Sequence, residues 1–152
     1  MGEVVKLLVV GSGGREHAIA KKLLDSKEVS QVFVAPGNDG MTLDGLDLVD
    51  IGISEHSALI AFAKEHEVDW TFIGPDDALA AGIVDEFEAA GLKAFGPKKA
   101  AAELEWSKDF AKSIMKKYGV PTARYETFSD FEAAKAYIEK EGAPIVVKAD
   151  GL

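Results

Sequence analysis

Residues 4–20, VVKLLVVGSGGREHAIA, leave the chain few folds to choose from. Val4–Val10 is apolar apart from one lysine and rich in valine, so it reads as a buried strand. Gly11–Gly14 forms a turn, and Arg15, Glu16 and His17 open a helix. A strand, a glycine turn and a helix in this order make half of a βαβ unit, which implies a parallel sheet. The turn glycines permit positive φ and close approach, while the helix start offers free N–H groups and a positive dipole end. A phosphorylated small molecule is the ligand such a turn suits.

The pattern repeats downstream. Gln31–Ala35 is a second strand ended by Pro36-Gly37-Asn38, residues 37–45 form a loop, and Leu46–Ile51 is a short third strand. Ser54 is placed to cap a helix running to about Glu67. Asp69–Gly74 is a fourth strand ended by Gly74-Pro75, a helix spans about Asp76–Ala90 with Gly91 as its stop, and Leu92–Gly96 is a fifth strand. Short apolar strands alternating with helices predict a doubly wound, Rossmann-like α/β sheet covered on both faces. In such sheets ligands lie at the carboxyl ends of the strands, so the turns GSGGREH, APGN and IGPDD are expected on one rim.

Beyond Gly96-Pro97 the composition shifts. Lys98–Lys117 is helical with an interruption at Trp106-Ser107, and Gly119 and Pro121 end it. Arg124–Phe128 reads as a strand, Ser129–Glu132 as a capping box before a helix ending at Gly142, and Ala143–Lys148 as a further strand leading to Asp150-Gly151. Two domains follow: residues 1–100, and residues 101–152 as a linker helix and the start of a second domain expected to continue past Leu152.

Charge and composition narrow the partners. With 17 basic against 26 acidic residues the net charge is −9, which disfavours nucleic acid. Zero cysteines exclude disulfides and thiolate metal sites. No apolar run reaches the roughly 18 residues of a membrane span. The start, MGEVVKLLVV, reads as a core strand and not a signal peptide, so the cytoplasm is the expected location.

The dinucleotide fingerprint needs a third glycine and an acid ending the second strand; Glu16 and Val34-Ala35-Pro36 stand there instead. No Walker loop occurs. A turn with Gly13-Gly14 at a helix start and Arg15 beside it suits a monophosphate. His17 reads as structural or as a ligand contact, and the three histidines have no metal-ligand spacing. Asp76 and Asp77 read as an N-cap, or as Asp76 accepting hydrogen bonds from a sugar or an amine. Lys148, near the end of an apolar strand, and Lys108, at a helix start, are candidates to neutralise nucleotide phosphates.

Taken together, VVGSGGREHAIA, FVAPGN, IGPDDAL, GLKAFGP, LEWSKDFAK, GVPTARY and GAPIVVKADGL resemble, in order and spacing, the amino-terminal part of the phosphoribosylamine–glycine ligase (glycinamide ribonucleotide synthetase) family. The resemblance covers essentially the whole chain. It implies a pre-ATP-grasp α/β domain followed by the truncated start of an ATP-grasp domain. The implied reaction is ATP-dependent ligation of glycine to 5-phosphoribosylamine in purine biosynthesis, with the fragment alone inactive. Carried over by position, Gly13, Gly14, Arg15, Glu16, His17, Pro36, Gly37, Asn38 and Asp76 would line the phosphoribosylamine side, and Lys108 and Lys148 would reach ATP. Mg2+ or Mn2+ would bind beyond Leu152, so no metal ligand and no catalytic residue is assigned here. Asp76 stands where the family commonly has Glu, Ala78 where it has Pro, and Trp106 where it has Gly. Alternatives are another ATP-grasp ligase or carboxylase, or a non-catalytic phosphosugar-binding module.

Overall fold

The computed structural model describes residues 4–151, so the reading of Met1–Glu3 as strand lead-in, and Leu152 at the end of the last motif, fall outside them. The chain separates into two compact units, Met1–Ala102 and Glu103–Leu152.

In the first unit β1 (Val5–Gly11), α1 (Gly14–Leu24), β2 (Val29–Pro36), α2 (Asp39–Thr42) and β3 (Asp47–Leu48) are followed by α3 (His56–Glu65) and β4 (Trp70–Ile73). Then come α4 (Asp76–Ala81), α5 (Ile83–Ala89) and β5 (Ala94–Phe95). The five strands form one sheet in the order β3-β2-β1-β4-β5, and every pair is parallel. The chain winds outward from β1 to β3, and α3 returns it to β4 on the other side of β1. The point where the winding reverses therefore lies between β1 and β4, where a doubly wound sheet opens its crevice.

β1 is covered on both faces, as a central parallel strand must be. Leu8, Val9 and Val10 are fully buried. Leu7 and Val9 pack with Val32, Val34, Ala20, Met41 and Leu46 on the α1 side. By the two-residue alternation, Phe33 faces the other way, and its ring meets Phe62 of α3 edge-on at 5.1 Å. On that side α3 and α5 bury Leu59, Ala63, Ile83, Val84 and Phe87. Leu59, Ile83, Val84 and Phe87 each contribute about 1.5–3 kcal/mol on burial.

Several sequence expectations are corrected. The third strand is Asp47–Leu48 rather than Leu46–Ile51, because an edge strand pairs on one side only and two residues suffice. The segment 37–45 holds the short helix α2, capped by the Asn38 side chain on the Gly40 N–H at 3.0 Å. Glu55, not Ser54, precedes α3, and its carboxylate turns back to the Gly52 N–H at 2.6 Å. The helix expected over Asp76–Ala90 is broken at Gly82, whose φ of 101° is left-handed and closes α4 as its C-cap. Pro75 occupies the N-cap of α4, and neither Asp76 nor Asp77 supplies a capping side chain.

α6 (Lys99–Trp106) ends where an interruption was expected, and Ser107 caps α7 (Lys108–Tyr118). Gly119, with φ 67°, closes α7. α8 (Phe131–Glu141) is capped by Asp130, whose carboxylate accepts the Ala133 N–H at 2.7 Å, so the cap is one residue later than Ser129. Arg124–Phe128 and Ala143–Lys148 form no strand, and Val146 and Val147 are exposed. A strand needs a neighbour to satisfy its backbone, and among the described residues this unit offers none.

Candidate functional site

The carboxyl ends of β1, β2 and β4 bring the three glycine-bearing turns onto one rim, and hydrogen bonds stitch them together. The Gly37 N–H donates to the Gly11 carbonyl at 3.1 Å, and the Gly74 N–H to the Val10 carbonyl at 3.1 Å. The Asn38 side-chain amide donates to the Ser12 carbonyl at 2.8 Å. From the start of α1, the Arg15 guanidinium reaches across to the Gly74 carbonyl at 2.8 Å.

Glu16 holds this rim together from inside. It is only 5% exposed. Its Oε2 accepts the Gly13 N–H at 2.8 Å, the carboxylate half of a capping box, and its Oε1 accepts Arg15 Nε at 3.0 Å. A Cβ added at Gly11, Gly13 or Gly74 would come within 2.4, 2.8 and 2.5 Å of the Glu16 side chain. Three glycines of the rim thus make room for a carboxylate of the protein. This revises the reading of the turn: Gly11 and Gly13 are small first of all because Glu16 needs the space. Gly14 differs, since nothing stands within 4 Å of where its Cβ would be, and it is exposed with its N–H at the first position of α1. With Glu16 occupied internally, the outward face of the rim consists of Gly13, Gly14, the 61%-exposed Arg15 side chain, His17, Gly37 and Asn38. Pro36 is the last residue of β2, immediately before that face.

His17 is held by an acid that sequence reading passed over. Its Nε2 lies 2.8 Å from Asp44 Oδ2, while Asp44 Oδ1 accepts Lys21 Nζ at 2.7 Å. The hydrogen bond from Lys21, followed by that from His17, lowers the Asp44 carboxyl below its ordinary range; reciprocally, Asp44 raises the Lys21 ammonium. Asp76 is half-buried in the first turn of α4, two residues past Gly74, with no hydrogen-bond partner among the described residues.

Two hollows of about 410 and 310 Å³ lie around His56, the second bordering the IGPDD turn. Glu55 and Glu86 line the first and Asp77 the second, an acidic setting that repels a phosphate. The rim, with its open helix start and Arg15, is the better anion site.

In the second unit Asp150 gathers the start of α7. Its carboxylate accepts the N–H of Lys108 at 2.6 Å, that of Asp109 at 3.1 Å and the Ser107 hydroxyl at 3.0 Å. These bonds, the Asp109 N–H first, lower its carboxyl below the ordinary value. The Asp150 side chain, two residues after Lys148, is thereby tied to the Lys108 backbone, and both lysines are exposed. Lys148 does not stand on a buried strand as expected. Among the described residues no group of three or more His, Cys, Asp or Glu could hold a metal ion. No helix among them is long and apolar enough to cross a membrane.

The family model described as phosphoribosylglycinamide synthetase, N domain, matches residues 5–105, and that described as phosphoribosylglycinamide synthetase, ATP-grasp (A) domain, matches residues 106–152. The chain belongs to the phosphoribosylglycinamide synthetase family. It is 80% identical over 148 residues to the phosphoribosylamine–glycine ligase of Streptococcus suis and 82% identical to that of Streptococcus pneumoniae serotype 4. Those alignments cover 97% of this chain but 35% of either relative, so the chain spans about a third of the curated relatives' length. Among solved structures it is similar to the phosphoribosylamine–glycine ligase of Thermotoga maritima, at 36% identity and a TM-score of 0.69, covering 97% of this chain and 34% of that one. It is also similar to a Campylobacter jejuni biotin carboxylase, at 25% identity and a TM-score of 0.69, covering 93% and 34%.

Proposed function

We propose that this chain is the amino-terminal part of an ATP-dependent phosphoribosylamine–glycine ligase of the cytoplasm, with residues 1–100 as the substrate-binding domain and residues 101–152 as a linker helix and the start of the ATP-grasp domain. In the reaction, a glycine carboxylate oxygen attacks the γ-phosphorus of ATP, giving an acyl phosphate and ADP. The amine of 5-phosphoribosylamine then attacks the acyl carbon, phosphate leaves with the C–O bonding pair, and the amine gives up a proton as the amide forms. The observation that carries the reading is the convergence of three strand-end turns on one rim that presents an exposed helix start and a guanidinium.

Within that reading, Gly14 offers its N–H to the phosphosugar's phosphate beside Gly13, whose own N–H is taken by Glu16, and Arg15 supplies charge, its Nε and terminal nitrogen already pinned by Glu16 and Gly74. Glu16 acts by keeping the turn open rather than by touching substrate. His17, Pro36, Gly37, Asn38 and Asp76 flank the sugar. Lys108 and Lys148 serve nucleotide phosphates as point charges. ATP-grasp chemistry draws on a divalent ion, Mg2+ or Mn2+, but the described residues do not fit one.

The test is ADP release dependent on ATP, glycine and phosphoribosylamine. It should occur with the longer polypeptide and be absent with the 152-residue chain, because phosphoryl transfer needs its charge-stabilising groups positioned together. Turnover by the 152-residue chain at the full rate, or none by the longer polypeptide, would overturn the proposal.

A further inference from the structure

We propose that Asp44 is a positioning residue that fixes His17 as a hydrogen-bond acceptor at the rim, leaving its Nδ1 to take a hydrogen from a hydroxyl or amine of a phosphosugar; this rests on the reading of the rim given above. The geometry is a three-membered chain. Lys21 Nζ donates to Asp44 Oδ1 at 2.7 Å, and Asp44 Oδ2 meets His17 Nε2 at 2.8 Å. A carboxylate is acceptor-only, so Nε2 must carry the hydrogen in that bond. In the neutral imidazole the other nitrogen, Nδ1, is then a bare acceptor. It has no hydrogen-bond partner among the described residues.

Two observations keep the arrangement rigid and place it at the rim. The Asp44 carboxyl is held below its ordinary range by Lys21 and His17, so it remains an acceptor. Cε1, the ring carbon between the two nitrogens, lies 4.0 Å from where a Cβ on Gly40 would stand. Gly40 is the second residue of α2, capped by the same Asn38 whose amide reaches Ser12. The ring therefore stands at the junction of the GSGG and PGN turns, with both His17 and Asp44 side chains 27% exposed. Asp44 ties the far end of the 37–45 segment to α1, which explains why a residue remote from the glycine motifs belongs to the site.

The experiment uses the 152-residue chain labelled with 15N-histidine. Long-range 1H–15N spectra at pH 8 report which ring nitrogen of His17 carries hydrogen, and calorimetry reports the affinity for ribose 5-phosphate. In the unsubstituted chain His17 should be in the Nε2–H form. Asp44→Ala should lose the slow solvent exchange of the Nε2 hydrogen that the carboxylate bond confers, and bind ribose 5-phosphate about threefold to tenfold more weakly, the range of one ordinary hydrogen bond. Asp44→Glu, which keeps the carboxylate, should recover the slow exchange and much of the affinity. A Nδ1–H form in the unsubstituted chain, or unchanged exchange and affinity in Asp44→Ala, would overturn the role of Asp44 alone. No binding of ribose 5-phosphate by the unsubstituted chain would overturn the rim reading, and the proposal with it.

Discussion

If Gly74 is glycine because Glu16 fills the space beside it, the two positions must be energetically coupled. A Cβ on Gly74 would stand 2.5 Å from both Cγ and Oε1 of Glu16 and 2.7 Å from its Cδ, and these are its three nearest neighbours. Glu16 is buried and doubly hydrogen-bonded, so it has nowhere to move. Gly74→Ala alone should therefore cost about 1–3 kcal/mol, the range for overpacking a tight site. Glu16→Ala alone should cost about 2 kcal/mol, since it leaves the Gly13 N–H and Arg15 Nε without their acceptor. Were the sites independent, the double variant would lose the sum. The structure instead requires that once Glu16 is gone the added methyl meets no side chain of that kind, so the double variant should be about as stable as Glu16→Ala. The interaction energy in the cycle should then offset about 1–3 kcal/mol of the two single losses. Urea unfolding followed by circular dichroism and by the fluorescence of Trp70 and Trp106 measures all four proteins. Losses that add to within about 0.5 kcal/mol would refute the reasoning.

Three further outcomes follow from the geometry. Gly82→Ala places a left-handed φ of 101° on a residue with Cβ and should destabilise the first unit by about 1–2 kcal/mol in the same urea assay. No side chain approaches that position closer than 3.5 Å, so the cost is one of backbone alone. Phe87→Ala empties a fully buried site under α5 and should cost about 3–5 kcal/mol. Because the Asp150 carboxyl is lowered in the folded chain, its contribution is complete above the unfolded carboxyl range, near pH 4, and is lost as pH falls through its folded value. Amide shifts of Lys108 and Asp109 should follow that titration, and Asp150→Asn should abolish it.

The sheet was legible where the sequence carries long apolar runs. β1, β2 and β4 are such runs, and the parallel order then forces their following turns to a common rim, which is why the convergence of GSGGREH, APGN and GPDD could be read in advance. β3 and β5 shrank to two residues each because edge strands have neighbours on one side only. Gly82 falls inside the helix expected over Asp76–Ala90; only the backbone shows that it turns left-handed and breaks that helix. The inward use of Glu16 had a trace in the sequence, a Gly-x-x-Glu spacing at a helix start, but that it fills the space beside Gly74 depends on β1 and β4 being adjacent. Asp44 had no trace at all, since 27 residues separate it from His17 and no periodicity links them. The run Ala143–Lys148 has the composition of a strand, yet composition alone supplies no neighbour to pair with.

The role proposed for the rim of the first unit is to take a phosphoribosyl group. Its most direct test is a 1H–15N amide titration of the 152-residue chain with ribose 5-phosphate. Saturable shifts should concentrate at Gly13, Gly14, Arg15, His17, Gly37 and Asn38 and be lost in Arg15→Ala. Shifts concentrated instead around His56 and Glu86, or none at saturating ligand, would contradict it.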